Sequence, residues 1–215
     1  MTDFATARDR MVDSQVRPSD VTDLRLLWAL QTVQREHFVP EKAKDLAYAD
    51  YDMPIARGRC LLKPRVFAKL VQQADVKETD RVLDVGCGLG YSAAVLAELA
   101  AEVTALEDDA QLAAGAAKAL SGNGKVRVVS GALPDGCAAH APYDVIVVEG
   151  GTEVEPAKLL RQLNDGGRLV CLLGQGPYGK ATLYKRTGQD VGDRPLFDAA
   201  SGVLPGFAKP AAFAF

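Results

Sequence analysis

The sequence predicts an α/β fold: an open, mostly parallel sheet with helices on both faces, preceded by an N-terminal helical extension. Three observations predict it. From residue 81 onward, short apolar runs alternate with helical stretches through short connections, the pattern of parallel strands joined by right-handed crossovers. Tyr143-Asp-Val-Ile-Val-Val148 is an almost continuous apolar run, as a strand covered on both faces must be. The apolar run Arg81-Val-Leu-Asp-Val85 breaks into Gly86, Gly88 and Gly90, then resumes as the helical Ser92-Ala-Ala-Val-Leu-Ala-Glu-Leu99. A strand that meets glycines at every second position and then becomes a helix is a βα turn whose backbone approaches a ligand, because only glycine leaves that space.

Taken in order, residues 4–16 carry Phe4, Ala7, Met11, Val12 and Val16 near the helical period, an amphipathic helix that Pro18 ends. Ser19 or Asp20 caps a second helix with the stripe Val21, Leu24, Leu27, Trp28 and Leu30 before Val33. Residues 35–40 break it; His37, with no second histidine or cysteine near it, reads as a partly buried structural side chain. Residues 48–64 show no period and carry two prolines and a glycine, yet Met53, Ile55, Leu61 and Leu62 need burial, so this is an ordered loop. The loop and its exit hold Arg57, Arg59, Lys63 and Arg65 without an acid among them, either a solvated face or a holder for an anionic substrate.

A helix over residues 65–74 follows Pro64, then the strand 81–85, a strand over 103–107, an alanine-rich helix over 109–120 and a break at 122–124. Strands over 126–129 and 143–148, the latter ending in Glu149, a helix over 153–163, and strands over 168–173 and 181–186 complete the alternation. The tail 194–215 reads as short strands among prolines, Phe213-Ala-Phe215 alternating as an edge strand. The 215 residues form one domain, with residues 1–75 supplying helices and a substrate loop and residues 76–215 the ligand-binding sheet.

Composition narrows the partners. The chain is 48% hydrophobic and 25% charged with a formal net charge of −3, so nothing global calls for nucleic acid or an anionic membrane. Cys60, Cys87, Cys137 and Cys171 are scattered and only two histidines are present, which argues against a metal site and a disulfide framework and suits a reducing cytoplasm. Charges stand where a signal peptide needs an apolar core, and no apolar run approaches the roughly 20 residues of a membrane span.

In an open α/β sheet, ligands sit outside the carboxyl ends of the strands. That selects Gly86 to Tyr91, Glu107 with Asp108, the loop from Gly131 to Asp135, and Glu149. The helix beginning near Gly90 turns free N–H groups toward that place. Glu107, at the end of its strand about 20 residues past the first glycine, is placed to accept hydrogen bonds from a ribose. A dinucleotide site wants G-x-G-x-x-G, and Tyr91 stands at its third glycine; the pattern here is G-x-G-x-G.

With Asp84 two residues before Gly86, this turn resembles motif I of the class I S-adenosylmethionine-dependent methyltransferases. Met11-Val-Asp-Ser-Gln15, Val33-Gln-Arg-Glu-His-Phe-Val-Pro40, Ala47-Tyr-Ala-Asp50 with Met53-Pro-Ile55, Val82 to Tyr91, and Gln162-Leu163 with Gly166-Gly-Arg168 resemble, in order, M-V-x-x-Q, V-P-R-x-x-F-V-P, A-Y-x-D with L-P-I, V-L-E-I-G-T-G-S-G-Y and Q-L-x-x-G-G-R of the protein-L-isoaspartate O-methyltransferase family. The resemblance implies a Rossmann-like class I methyltransferase fold with a seven-stranded sheet. It also implies S-adenosyl-L-methionine as cofactor and isoaspartyl residues of damaged proteins as substrate. Asp84, Gly86, Cys87, Gly88, Gly90, Tyr91, Glu107, Asp108, Ala132 and Leu133 become the cofactor-binding residues, and Arg59, Leu62 and Glu149 the catalytic positions.

The departures from the family fall at the chemistry. Its G-Q-T-I-S-Q-P signature lies over Gly58-Arg-Cys-Leu-Leu-Lys-Pro64, so Cys60 stands for threonine and Leu62 for the serine assigned to the active site. The adenine-contacting G-D-G reads Gly131-Ala-Leu133, and Glu149 stands where the family has a small or hydroxyl residue. Methyl transfer to a carboxylate requires no general base, since the nucleophile, with a pKa of about 4, is already ionised near pH 7. Orientation and exclusion of water carry the rate. An ionised Glu149 would repel an anionic acceptor unless paired, with Arg59 the candidate partner. Three readings follow: isoaspartyl methylation with Arg59 or Lys63 holding the acceptor, methylation of another acceptor with Glu149 as base, or a cofactor-binding regulator without turnover.

Overall fold

A computed structural model of the protein describes residues 3–210. The N-terminal extension begins with α1 (Phe4–Met11), capped by the Asp3 carboxylate on the Thr6 N–H. The chain continues through a wider helical turn, Val12–Val16, and a tight one, Arg17–Ser19. Pro18 therefore sits inside the last turn and not beyond it, at a position whose N–H the turn does not need. Helix α2 (Leu24–Thr32) is capped by Asp23, whose carboxylate accepts from the N–H groups of Arg25 and Leu26. The expected caps fail because Asp20 takes a left-handed conformation, φ 64°, at the end of the preceding turn. Leu26, Leu27, Ala29 and Leu30 face the core, whereas Leu24 and Trp28, expected in the apolar stripe, are 74% and 56% exposed. His37 is exposed as well, not partly buried.

The expected loop contains a hairpin. Strand β1 (Met53–Ala56) pairs antiparallel with β2 (Arg59–Leu61), turning at Gly58 with φ 70°. Helix α3 (Pro64–Ala74) follows with proline in its first turn.

The sheet then forms as the alternation predicts: β3 (Arg81–Val85), α4 (Tyr91–Leu99), β4 (Glu102–Glu107), α5 (Ala110–Ala119), β5 (Val126–Ser130), β6 (Tyr143–Thr152), α6 (Ala157–Leu160), β7 (Leu163–Leu173), β8 (Lys180–Thr187) and β9 (Asp190–Asp198). Seven strands lie in the order β5-β4-β3-β6-β7-β8-β9, parallel as far as β7 and antiparallel at the two later pairings. Two expectations change. The helix over 153–163 shrinks to α6, because Pro156 sets its start and Leu163 is drawn into β7 opposite Tyr143. The tail yields a full strand, β9, and an irregular segment in which Val203 bridges Gly151. Phe213 and Phe215 lie outside the described residues.

Residues along each strand alternate between two cores. Val82, Val103, Val145, Val147 and Val170 face the side packed by the N-terminal extension, α3 and α4. Leu83, Val85, Ile146, Val148 and Leu169 face the other side, closed by α6 residues and by Leu204 and Phe207 of the tail. Helices thus cover both faces, and the carboxyl ends of β3, β4, β5 and β6 form one rim.

Candidate active site

The rim collects the residues that topology selected. Gly86, Gly88 and Gly90 have φ of 80°, 59° and 99°, a left-handed succession that side chains other than glycine adopt only under strain. The turn is anchored by the N–H groups of Gly86 and Cys87 on the Leu106 carbonyl, at 2.8 and 3.2 Å. Gly90 directly precedes α4, so the free N–H groups of that helix open onto the turn.

Glu107 is fully buried at the end of β4 and is the most heavily bonded carboxylate on the rim. Its Oε2 accepts from the Gly88 N–H at 2.7 Å and its Oε1 from the N–H groups of Asp108 and Asp109 at 3.0 and 3.1 Å. Arg59, reaching from β2, donates to both oxygens, its Nη2 to Oε2 at 2.8 Å, and its Nη1 also meets Asp108 at 2.8 Å. Burial would raise the Glu107 pKa, but the Arg59 guanidinium and the backbone donors outweigh it and hold the carboxyl below its usual range. For Arg59, burial works toward a lower value and the two carboxylates reverse it. Among the cations expected on this loop, Arg57 and Arg65 are exposed and Lys63 half-buried; only Arg59 enters the site.

Side chains from the hairpin and the tail lie on the first two glycines of the turn, and Leu120 of the chain after α5 on the third, where a Cβ would stand 2.7 Å from its Cδ1. A Cβ at Gly88 would stand 2.5 Å from Ile55 Cδ1, and one at Gly86 would stand 3.2 Å from both Arg59 Nη2 and Leu204 Cδ1. The tail is held by the Gly151 N–H on the Gly202 carbonyl at 2.8 Å and the Leu204 N–H on the Gly151 carbonyl at 2.9 Å. Cys60 Sγ lies 3.2 Å from Ser201 Oγ, joining hairpin and tail.

A second group lies under the turn on the face of the N-terminal extension. Asp84 is fully buried; its Oδ2 accepts from the Ser92 hydroxyl at 2.6 Å and its Oδ1 has no partner. Burial pushes its pKa up to about 7, opposed by Ser92 and reinforced by Glu107. Glu149 is buried with neither oxygen bonded. Its pKa is driven well up by burial and then by Asp84, with Arg35 acting the other way. The expected Arg59–Glu149 pair does not form, since the Arg59 guanidinium is held by Glu107 and Asp108. Arg35, fully buried, donates to the carbonyls of Ala47 and Leu62 at 2.7 and 2.8 Å and stacks 4.7 Å from the Tyr91 ring centre.

The remaining predicted residues have other surroundings. The Tyr91 side chain packs into the core against Phe38 and Phe67 and leaves its hydroxyl unbonded, so only its backbone faces the turn. Cys87 is buried, Ala132 is exposed at the start of the turn Leu133–Asp135, and Leu133 is fully buried in the second core. Leu62 is 1% exposed within the first core. Sequence reasoning missed Ser92, Arg35, Ile55 and Leu204. Ser92 had a local signal, a hydroxyl in the first turn of the helix that follows the glycines; the others come from segments far away along the chain.

The donor set fits an adenosyl cofactor. Glu107 and the Gly86–Gly90 backbone are the groups a ribose and a carboxylate tail require. A carboxylate offers about four lone-pair sites, and Arg59 with three N–H groups fills those of Glu107, so a ribose hydroxyl would find room there only if Arg59 gave way. Among the described residues no group of three or more His, Cys, Asp or Glu side chains is placed to hold a metal ion.

Comparison with known proteins agrees with this geometry. The family model of protein-L-isoaspartate(D-aspartate) O-methyltransferase matches residues 7–194. Protein-L-isoaspartate O-methyltransferase 1 of Rhodopseudomonas palustris (strain HaA2) is 43% identical over 175 residues, covering 80% of this chain and 71% of the relative. The corresponding protein of Koribacter versatilis is 40% identical over 176 residues, 81% of this chain and 79% of its own. Among solved structures, a protein-L-isoaspartate O-methyltransferase superposes with a TM-score of 0.80 at 22% identity, over 93% of this chain and 66% of the other. A Plasmodium falciparum structure assigned to the same family, in complex with S-adenosyl-L-homocysteine, gives 0.76 at 18% identity over 95% and 99%.

Proposed function

Since the chain belongs to the protein-L-isoaspartate O-methyltransferase family and has its class I methyltransferase fold, we propose that it is an S-adenosyl-L-methionine-dependent O-methyltransferase acting on the carboxylate of isoaspartyl residues in proteins or peptides. The observation that carries the reading is the union, at one rim, of the Gly86–Gly90 turn and the buried Glu107, in a chain that the family model matches from residue 7 to 194. The family's solved member with a bound S-adenosyl-L-homocysteine supports the cofactor.

The division of labour follows from placement. Glu107 takes the ribose hydroxyls, the glycine turn and the N-terminus of α4 take the amino-acid end, and Asp108 with the Ala132–Leu133 backbone borders the base. Residues 76–215 thus supply the cofactor side, and residues 1–75, through the β1–β2 hairpin, the acceptor side of one domain. When bound, the cofactor supplies a sulfonium methyl group, whose S–C electron pair stays with sulfur as the acceptor oxygen forms the new C–O bond. The acceptor carboxylate is ionised near neutral pH, so the protein need only orient it and keep water out. Arg59, once off Glu107, is a cation free to pair with that carboxylate. Among the described residues no helix is long and apolar enough to cross a membrane.

Methyl transfer from labelled S-adenosyl-L-methionine to an isoaspartyl peptide and to its aspartyl twin tests the reading. Transfer to the first and not the second is expected; transfer to neither, by protein that binds S-adenosyl-L-homocysteine, overturns it.

A further inference from the structure

Glu149 is a carboxylate that the proposed function leaves without a task, and unlike Asp84, which holds Ser92, it has no bond at all. It stands on β6, and Gly150, the next residue, shares a neighbour with the cofactor turn: Cβ atoms at Gly150 and Gly86 would each meet Leu204, at 2.7 and 3.2 Å. Glu149 itself points to the opposite face, that of Asp84, Val145 and Val147, under the hairpin and the N-terminal extension. Neither of its oxygens has a partner, though both are sealed from solvent. A buried polar atom without a bond costs about 1–3 kcal/mol, and proteins retain such atoms where something else binds.

We propose that Glu149 holds the acceptor carboxylate through its own carboxyl O–H. The inference rests on isoaspartyl methylation being the reaction. Residues 60 and 62 offer a thiol and an aliphatic side chain, so the hairpin itself brings no hydroxyl to the acceptor. The charged and titratable groups that face Glu149 are Asp84 from β3, Cys87 from the turn, Tyr91 from α4 and Arg35 from the extension. Arg35 is the only cation among them, and it forms no ion pair with Glu149. Buried beside Asp84 with neither a hydrogen bond nor an ion pair, Glu149 favours its neutral form, which removes the repulsion an ionised side chain would impose. The proton stays on Glu149 throughout: the O–H donates to one acceptor oxygen while the other attacks. Strand β2, which carries Arg59, lies against β6, which carries Glu149.

The test uses the full chain, an isoaspartyl peptide, and the variants Glu149→Gln and Glu149→Ala. Glutamine keeps a neutral donor and is expected to retain transfer within about threefold and to hold it at alkaline pH, where the wild-type rate falls as Glu149 ionises. Alanine is expected to lose about 10- to 100-fold in kcat/KM, the worth of one charge-assisted hydrogen bond. Peptide affinity measured by calorimetry with S-adenosyl-L-homocysteine present is expected to weaken in parallel. Thermal unfolding checks that both variants fold. An alanine variant as fast as wild type or faster, or a glutamine variant as slow as alanine, overturns the inference while leaving the methyltransferase reading intact; a wild-type protein that never methylates the peptide overturns the reading itself. Carbon-13 NMR of the Glu149 carboxyl decides independently of turnover, since an ionised signal at pH 7 also overturns the inference.

Discussion

Replacing Arg59 by glutamine should tighten cofactor binding. In the closed form the guanidinium makes two hydrogen bonds to Glu107 and one to Asp108, and a ribose reaches Glu107 only after these are given up. Hydrogen bonds to charged partners contribute roughly 1.5–3 kcal/mol each, but water and the incoming hydroxyls recover part of that, leaving a release cost of about 2–3 kcal/mol. At about 1.4 kcal/mol per factor of ten, Arg59→Gln should lower the Kd for S-adenosyl-L-homocysteine about 30- to 150-fold. This is the gain expected when a binding-competent state no longer has to be reached against a competing one. Glu107 keeps its three backbone donors in the variant, so the carboxylate stays in place, while the ligand-free protein melts earlier because a buried charge has lost its partner. Isothermal titration calorimetry supplies the Kd and differential scanning fluorimetry the unfolding midpoint. An affinity that is unchanged or weaker in a variant that is folded would refute the argument and make Arg59 part of the ligand's own binding surface.

Asp84 predicts a pH dependence of stability. Its folded pKa of about 7 exceeds its ordinary 3.8, so between these values the folded state binds the extra proton and stability falls as pH rises from about 4 to 7. Glu149 acts in the same direction. Asp84→Asn should flatten the curve of midpoint against pH in that window; an unaltered slope counts against a buried proton there. Asp23→Ala removes the cap of α2 and should cost about 1 kcal/mol in urea unfolding, whereas Asp20→Gly, at the candidate that does not cap and whose φ of 64° glycine accepts, should not show that loss. Leu62→Ser, in a well-packed core position, should cost about 2–5 kcal/mol, so a fall in activity from that change would have to be separated from a fall in folded fraction; a midpoint equal to wild type would mean that Leu62 faces the acceptor and not the core.

What could be read from the sequence was local. The positive φ values at Gly86, Gly88 and Gly90 are demands of three adjacent residues, and the strands from Arg81 to Leu173 announce themselves by runs of apolar side chains alternating between two cores. Glu107 followed because topology places strand ends together. Arg59 can be singled out from four cations but with Glu149 as its expected partner, because where it reaches depends on the hairpin register Met53↔Leu61, which periodicity does not encode. Its partner Glu107 lies 48 positions away. Competing local signals explain other differences: Ser19, Asp20 and Asp23 are all good caps in composition, and the left-handed Asp20 decides among them. The helix expected over 153–163 kept only Ala157–Leu160, cut at its start by Pro156 and at its end by Leu163, whose pairing with Tyr143 outweighed helical propensity.

The tail that closes the turn has a consequence for how the protein is made. Gly86 leaves the ribosome more than a hundred residues before Leu204, which covers it, and domains assemble from the N-terminus as synthesis proceeds. A chain arrested after β7 would lack Leu204, so the Gly86 and Gly150 side of the rim would be without that cover. That cover is therefore completed late in synthesis, long after the cofactor turn itself has been made.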